Sequence, residues 1–139
     1  MQICPRRLEA KEVTKDLFVI FFLKTKMQKV FWLLVITPSG NWSSYPPHKH
    51  DKDNLPFESQ LEETYYHRIN PSQGYVMQRV YNESKTLDEN ISATDRSVVL
   101  VPEGYHPVGV PHGYESYYLN VMAGPKRIWK FHNDPDHEW

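Results

Sequence analysis

The chain has 139 residues, of which 40% are hydrophobic, 14% aromatic and 24% charged; this is the make-up of one packed domain and argues against a disordered chain, a coiled coil or two independent cores. Sixteen Lys and Arg against seventeen Asp and Glu give a formal charge of -1, so there is no excess field to recruit nucleic acid or an anionic membrane, and a small-molecule ligand is the expected partner. The lone Cys4 has no internal disulfide partner, and no basic segment leads into an apolar stretch with a cleavage site, so the cytoplasm is the expected compartment.

Residues 1–16 are rich in charge and weak in periodicity; a short helix, a leading strand and a frayed arm all fit. Residues 1–28 are therefore set apart as an atypical N-terminal arm that need not be ordered, ahead of one domain over 29–139. The apolar runs 17–23 and 30–36 are split by Lys24, Lys26 and Lys29. Neither reaches the ~20 residues of a membrane helix, so they read as core segments. The β-branched and aromatic run 30–37 stops at Pro38-Ser39-Gly40, a strand followed by a turn.

Further strands are predicted at 62–69, 75–81, 97–101, 114–122 and 126–132. The breaks between them are 70–74, the polar stretch 82–96, Pro102-Glu103-Gly104, Pro111-His112-Gly113 and Gly124-Pro125. Eleven prolines spread along the chain oppose long helices, because each removes a backbone donor. Short strands with frequent turns indicate an all-β sandwich or barrel with little helix.

One constellation carries chemistry. In Tyr45-Pro46-Pro47-His48-Lys49-His50-Asp51 the two histidines stand at i and i+2, which on an extended strand points both imidazoles to one face. Glu63 follows thirteen residues after His50, at the start of the next predicted strand. His106 comes after a Pro-Glu-Gly turn able to fold its ring back over a sheet. Three imidazoles and one carboxylate suit a borderline divalent ion: zinc, iron or manganese.

An acid on a strand downstream of the HxH pair, and a PxGxH turn before a hydrophobic strand, together resemble the two-part cupin motif, in which these residue types bind one metal inside a jelly roll. The flanking residues resemble a narrower family, the bacterial 5-deoxy-glucuronate isomerases of inositol catabolism. The likeness is carried by residues 37–51 with Leu61-Glu62-Glu63, by residues 99–108, by residues 117–124 and by Asp134-Pro135-Asp136-His137. It covers roughly residues 35–139 and implies a cupin jelly-roll barrel that is one half of a bicupin. It further implies a divalent metal on His48, His50, Glu63 and His106, the ligand set of the related 4-deoxy-threo-hexosulose-uronate ketol-isomerases. The implied reaction is conversion of 5-deoxy-glucuronate to 2-deoxy-5-keto-gluconate. Residues 1 to about 28 do not share the likeness, and the first barrel of the family is not matched, so the expected partners are a missing first cupin half or further copies of this chain.

An aldose–ketose isomerase needs an electrophile for the developing enediolate and a base beside the carbon. If Glu63 faces inward, alternation puts Tyr65 and His67 on the same face, while Tyr118 and Asn120 share a face of a later strand. The candidates for proton transfer are His67, Tyr118 and Tyr105, the last beside His106; His67 also fits the rim. Tyr65 and Asn120 are candidates for contacting the sugar, and Arg79 for the carboxylate if it projects into the barrel. Lys49 alternates away from its histidine neighbours and is expected to be exposed, and Asp51 to accept the second N–H of a ligand histidine. His112, His132 and His137 read as surface residues. The same ligand set on a cupin also serves iron(II) dioxygenases, and a sugar-binding or oligomerisation module without catalysis remains open.

Overall fold

The computed structural model describes residues 3–4, 17–21 and 30–138, the first two segments by backbone course alone. In chain order the strands are β1 (Ile3–Cys4), β2 (Leu17–Phe21), β3 (Val30–Thr37), β4 (Trp42–Ser43), β5 (His48–Lys49), β6 (Glu62–Asn70), β7 (Tyr75–Tyr81), β8 (Asp88–Thr94), β9 (Val98–Val101), β10 (Val108–Gly109), β11 (Glu115–Ala123) and β12 (His132–Asn133). A single 3₁₀ turn, Pro135–His137, is the only helical element among the described residues. The all-β expectation with little helix is met. The readings made for the rest of residues 1–28 lie outside the described residues.

Six strands form one sheet in the order β1-β2-β3-β11-β6-β9 and four form another in the order β4-β10-β7-β8; β5 pairs with β12 apart from both. All the pairings are antiparallel, with β11 central in the larger sheet between β3 and β6. Strict alternation drives this arrangement: along β6, residues Glu63, Tyr65, His67 and Ile69 are buried while Glu62, Arg68 and Asn70 are exposed. The two sheets face each other over one apolar cluster, to which the larger sheet gives Val35, Tyr65, Ile69, Val99, Val101 and Tyr118, and the smaller one Val76, Val80, Ala93 and Val108. A second cluster of Phe31, Leu33, Leu61 and Met122, with Trp129 against it, closes one end.

Two sequence expectations are corrected here. The polar stretch 82–96, read as a break, contains β8, which pairs with β7 along its whole length from Asp88 to Thr94. As an edge strand β8 turns only Ala93 fully into the core, with Ile91 partly buried against it, and its remaining side chains carry the polar character that blunts a sheet edge. Conversely, 126–132 is not a strand apart from His132 in the short β12. There the chain is tied down at Lys130, whose carbonyl accepts from the Ser59 N–H at 2.9 Å and whose N–H donates to Ser59 Oγ at 2.9 Å.

Candidate metal centre

Four side chains distant in sequence meet beside this core. His48 lies on β5, His50 just beyond it, Glu63 at the second position of β6, and His106 after the turn that leaves β9. One ligand nitrogen from each of His48, His50 and His106 can be chosen so that all lie within 4.8 Å of one another. Glu63 Oε2 stands 2.9 Å from both His50 Nε2 and His106 Nε2.

The rings are held from behind. His50 Nδ1 is 3.0 Å from the Leu61 carbonyl and His106 Nδ1 is 2.7 Å from the Gly104 carbonyl. A carbonyl oxygen only accepts, so both Nδ1 atoms carry the proton and both Nε2 lone pairs turn towards Glu63. Although Glu63 Oε2 is so near, none of the three atoms finds a hydrogen-bond partner of acceptable geometry: His50 Nε2, His106 Nε2 and Glu63 Oε2 are buried and unsatisfied. Buried polar atoms are nearly always paired, so three converging exceptions are the mark of a place for a cation. The donor set of imidazole nitrogens and a carboxylate oxygen fits a divalent transition ion.

The groups of this cluster perturb one another's charges. Burial opposes ionisation of Glu63, yet His106 and His50 outweigh it and hold the carboxyl well below the usual carboxylate range. Burial would lower His50, but Glu63 outweighs that and raises it. His48 is half-buried as a residue, yet its ring is enclosed by His106 at 5.1 Å and Phe131 at 4.7 Å between centroids. That desolvation, with the His106 and His50 imidazoles beside it, lowers its pKa from 6.5 to about 3 and leaves a neutral ring, as metal ligation needs.

Around the quartet the larger sheet supplies a polar wall. Asn120 Nδ2 donates to Glu63 Oε1, which leaves Oε2 for the histidines. Tyr65 is fully buried, its hydroxyl 3.3 Å from Ser44 Oγ and its ring 6.0 Å from that of His106. His67 stacks under Tyr65 at 5.8 Å and meets the edge of Tyr118 at 5.7 Å. It is wholly buried rather than on the rim, and its Nε2 lies 2.9 Å from Gln78 Oε1.

Several expectations change. Arg79 does not project inward: it points outward from β7 and holds Asp88 through two bonds of 2.7 Å, because Val76, Gln78 and Val80 take the buried parity of the strand. Gln78 is thus the inward residue that sequence reasoning missed, and the buried valines two positions on either side are the signal for it. Tyr105 faces away from the quartet, since His106 takes the inward parity, and it packs on Tyr81 at 5.1 Å. Lys49 is buried, 2% exposed, and bonded to Asp51 and Glu58. Asp51 accepts from Lys49 and from the Gly104 N–H, not from a histidine ring. His112 and His132 are exposed as expected, whereas His137 is partly buried against Tyr45. A surface hollow of about 670 Å³ between Ile36, Arg68, Asn70 and Tyr117 lies at the opposite end of β6 from Glu63, away from this chemistry.

Known proteins bear on the same residues. The family model described as KduI/IolB matches residues 19–139. A 5-deoxy-glucuronate isomerase of Listeria monocytogenes serotype 4b is 71% identical over 105 residues, 76% of this chain and 38% of that protein. One from Halalkalibacterium halodurans is 70% identical over 105 residues, 76% of this chain and 39% of its own length. The chain therefore spans well under half of the curated relatives it matches. Among solved structures, an IolB-like protein from Salmonella typhimurium LT2 superposes with a TM-score of 0.90 at 42% identity, over 99% of this chain and 52% of that one. A cupin 2 conserved barrel domain protein from Rhodopseudomonas palustris, at 13% identity and a TM-score of 0.57, shares the fold alone. The fold is all-β and of cupin type.

Proposed function

The chain belongs to the KduI/IolB family, and from that premise we propose that it carries the metal-dependent isomerase centre that converts 5-deoxy-glucuronate to 2-deoxy-5-keto-gluconate. The observation that supports this most is the convergence of three buried, unsatisfied atoms on His50, His106 and Glu63, with His48 alongside. Those four residues would hold zinc, manganese or iron. When bound, the ion supplies a Lewis acid for the carbonyl and the neighbouring hydroxyl.

The remaining roles fall to the chain's own side chains. Asn120 anchors Glu63 by one oxygen and so fixes the direction of the other. Burial and the nearby Glu63 push the Tyr65 hydroxyl well above its ordinary value, so it stays protonated and serves as a donor to a substrate oxygen. Burial lowers His67, against the opposing bond from Gln78, so the ring is neutral at neutral pH. With its Nε2–H given to Gln78 Oε1, His67 offers the unpartnered Nδ1 as the base that carries a proton between adjacent carbons. Tyr118 shapes this pocket by its edge contact with His67. Arg79 is occupied by Asp88, which shifts contact with the substrate carboxylate to inward amides such as Gln78, whose Nε2 has no partner.

A second reading, a binding or assembly module without turnover, is favoured by an exposed apolar surface. The outer face of the larger sheet, with Trp32 46%, Val98 57% and Leu100 68% exposed, suits self-association or a further barrel. A cytoplasmic location goes with either reading; among the described residues no helix is long and apolar enough to cross a membrane. Metal analysis with a turnover assay and equilibrium sedimentation on the purified chain separates the two. Bound metal with product formation supports the isomerase, self-association or sugar binding without product supports the assembly module, and a monomer without metal, sugar binding or product removes both.

A further inference from the structure

The back of the HxH segment carries a charge cluster that the proposed reaction does not use. Lys49 Nζ, on a side chain 2% exposed, lies 3.0 Å from Asp51 Oδ1, 3.0 and 2.9 Å from the two oxygens of Glu58, and 3.5 Å from Glu83. Burying such charges is costly, and a buried ion cluster is weak reason to expect extra stability, so its presence asks for another explanation.

The bonds that leave the cluster supply one. Glu58 Oε1 accepts from the N–H of Asp51 at 2.8 Å and of Lys52 at 3.1 Å, which fixes the backbone just beyond His50. Asp51 Oδ2 accepts from the Gly104 N–H at 2.8 Å, and the Gly104 carbonyl accepts from His106 Nδ1 at 2.7 Å. A continuous path thus joins Lys49 to the ring of His106 across 57 residues of sequence, from position 49 to 106. The Gly104 turn has little room to move: its φ is +91°, and a Cβ there would stand 2.5 Å from the Tyr81 carbonyl oxygen. Tyr105, next in line, bonds Tyr81 in both directions at 2.7 and 2.9 Å.

We propose that Lys49, Asp51 and Glu58 are positioning residues that hold the two ligand-bearing segments in register and aim the His106 ring, so that metal affinity depends on three side chains that do not touch the ion. The inference rests on the metal-centre reading above. It is tested on the full chain stripped of metal with a chelator, using Co²⁺ titration followed by its visible bands and Zn²⁺ competition against a chromophoric chelator.

Asp51→Ala is expected to weaken both ions by about 10- to 100-fold and to shift the Co²⁺ bands. Asp51→Asn, which keeps an acceptor for the Gly104 N–H, recovers most of that affinity. Lys52→Ala, at an exposed side chain bonded to Glu83, leaves affinity and bands as in the parent. Should Asp51→Ala not fold, the charge-neutral double variant Lys49→Met/Glu58→Met, which removes the ammonium and the acceptor of the Asp51 and Lys52 N–H groups, is expected to weaken both ions in the same direction. Parent-like affinity and bands in whichever variant folds, with only the unfolding temperature of the metal-free protein lowered, would make the cluster structural and overturn the inference. Equal weakening by Lys52→Ala would reduce it to a general charge effect and overturn it as well. Failure of the parent chain to bind either ion is the separate failure of the metal centre itself, and takes this inference with it.

Discussion

The segment from His48 to Asp51 has two faces that treat polar atoms in opposite ways. On the face of His50, the nitrogen that meets His106 and Glu63 is buried without a hydrogen bond. On the face of Lys49, one residue away, the ammonium is surrounded by carboxylates, and Glu58 and Asp51 take backbone N–H groups besides. What sets the first face apart is that three such atoms, on His50, His106 and Glu63, converge on one point. The unsatisfied face is where a ligand belongs, and the satisfied one is its support.

The comparison breaks most sharply if the unsatisfied face proves empty in solution. We expect about one ion per chain by elemental analysis, as for a single four-ligand site, and close to none in His48→Ala/His50→Ala. With free metal near 1,000 times its dissociation constant, binding adds about 4 kcal/mol to folding stability, so a chelator should lower the unfolding temperature of the parent and leave the double variant where it is. Stoichiometric metal in that variant would overturn the ligand assignment.

The satisfied face predicts an effect of similar size and different origin. Lys49→Met leaves the carboxylates of Asp51 and Glu58 buried together without their cation, and should cost about 3–5 kcal/mol in chemical denaturation even without metal. Removing the Glu58 charge as well, in Lys49→Met/Glu58→Gln, should return much of that loss. If the single and double variants are equally destabilised, the lysine acts by packing and the contrast between the faces weakens.

A smaller effect sharpens the role of the wall beside the centre. His67 is lowered from 6.5 by burial, so its base form persists through neutrality and is lost only as the pH falls below that value. kcat/KM should therefore be level from neutrality upward and decline on the acid side below about 6.5. His67→Gln should reduce kcat by about 10²- to 10⁴-fold with metal retained, and the residual activity should lack that acid limb. An unchanged limb would move the base elsewhere, with Tyr118 next in line.

The meeting of His48, His50, Glu63 and His106 is legible in sequence because ligand chemistry restricts residue type and strand geometry restricts spacing: HxH on a strand, an acid on the next, and a histidine behind a glycine turn. The support is not. A lysine between two histidines reads as solvated by composition, and the partners that neutralise it, Glu58 and the Gly104 turn behind Asp51, are assembled only by the fold. Strand β8 was hidden for a related reason, since an edge strand's exposed faces are made of the same residues as a loop. Where alternation was anchored by Glu63 it placed Tyr65 and His67 correctly on the inward face. Along β7 no ligand anchors it, and charge alone favours Arg79 as a carboxylate contact over the neutral, inward Gln78.

Arg79 carries the smallest expected effect. Arg79 stands 36% exposed at its side chain and holds Asp88 in a two-bond pair on the outer face, with its guanidinium 4.3 Å from the Tyr81 ring centroid. An exposed pair of this kind is worth about 0–1 kcal/mol, so Arg79→Ala should change denaturation stability by no more than that. It should also leave KM for the sugar acid unchanged, because the side chain leaves β7 on the face opposite Gln78. Gln78→Ala removes an inward amide and the partner that orients His67, and should raise KM and lower kcat together. A rise in KM on Arg79→Ala, with Gln78→Ala silent, would reverse the parity assigned to β7 and put the carboxylate contact back on the arginine.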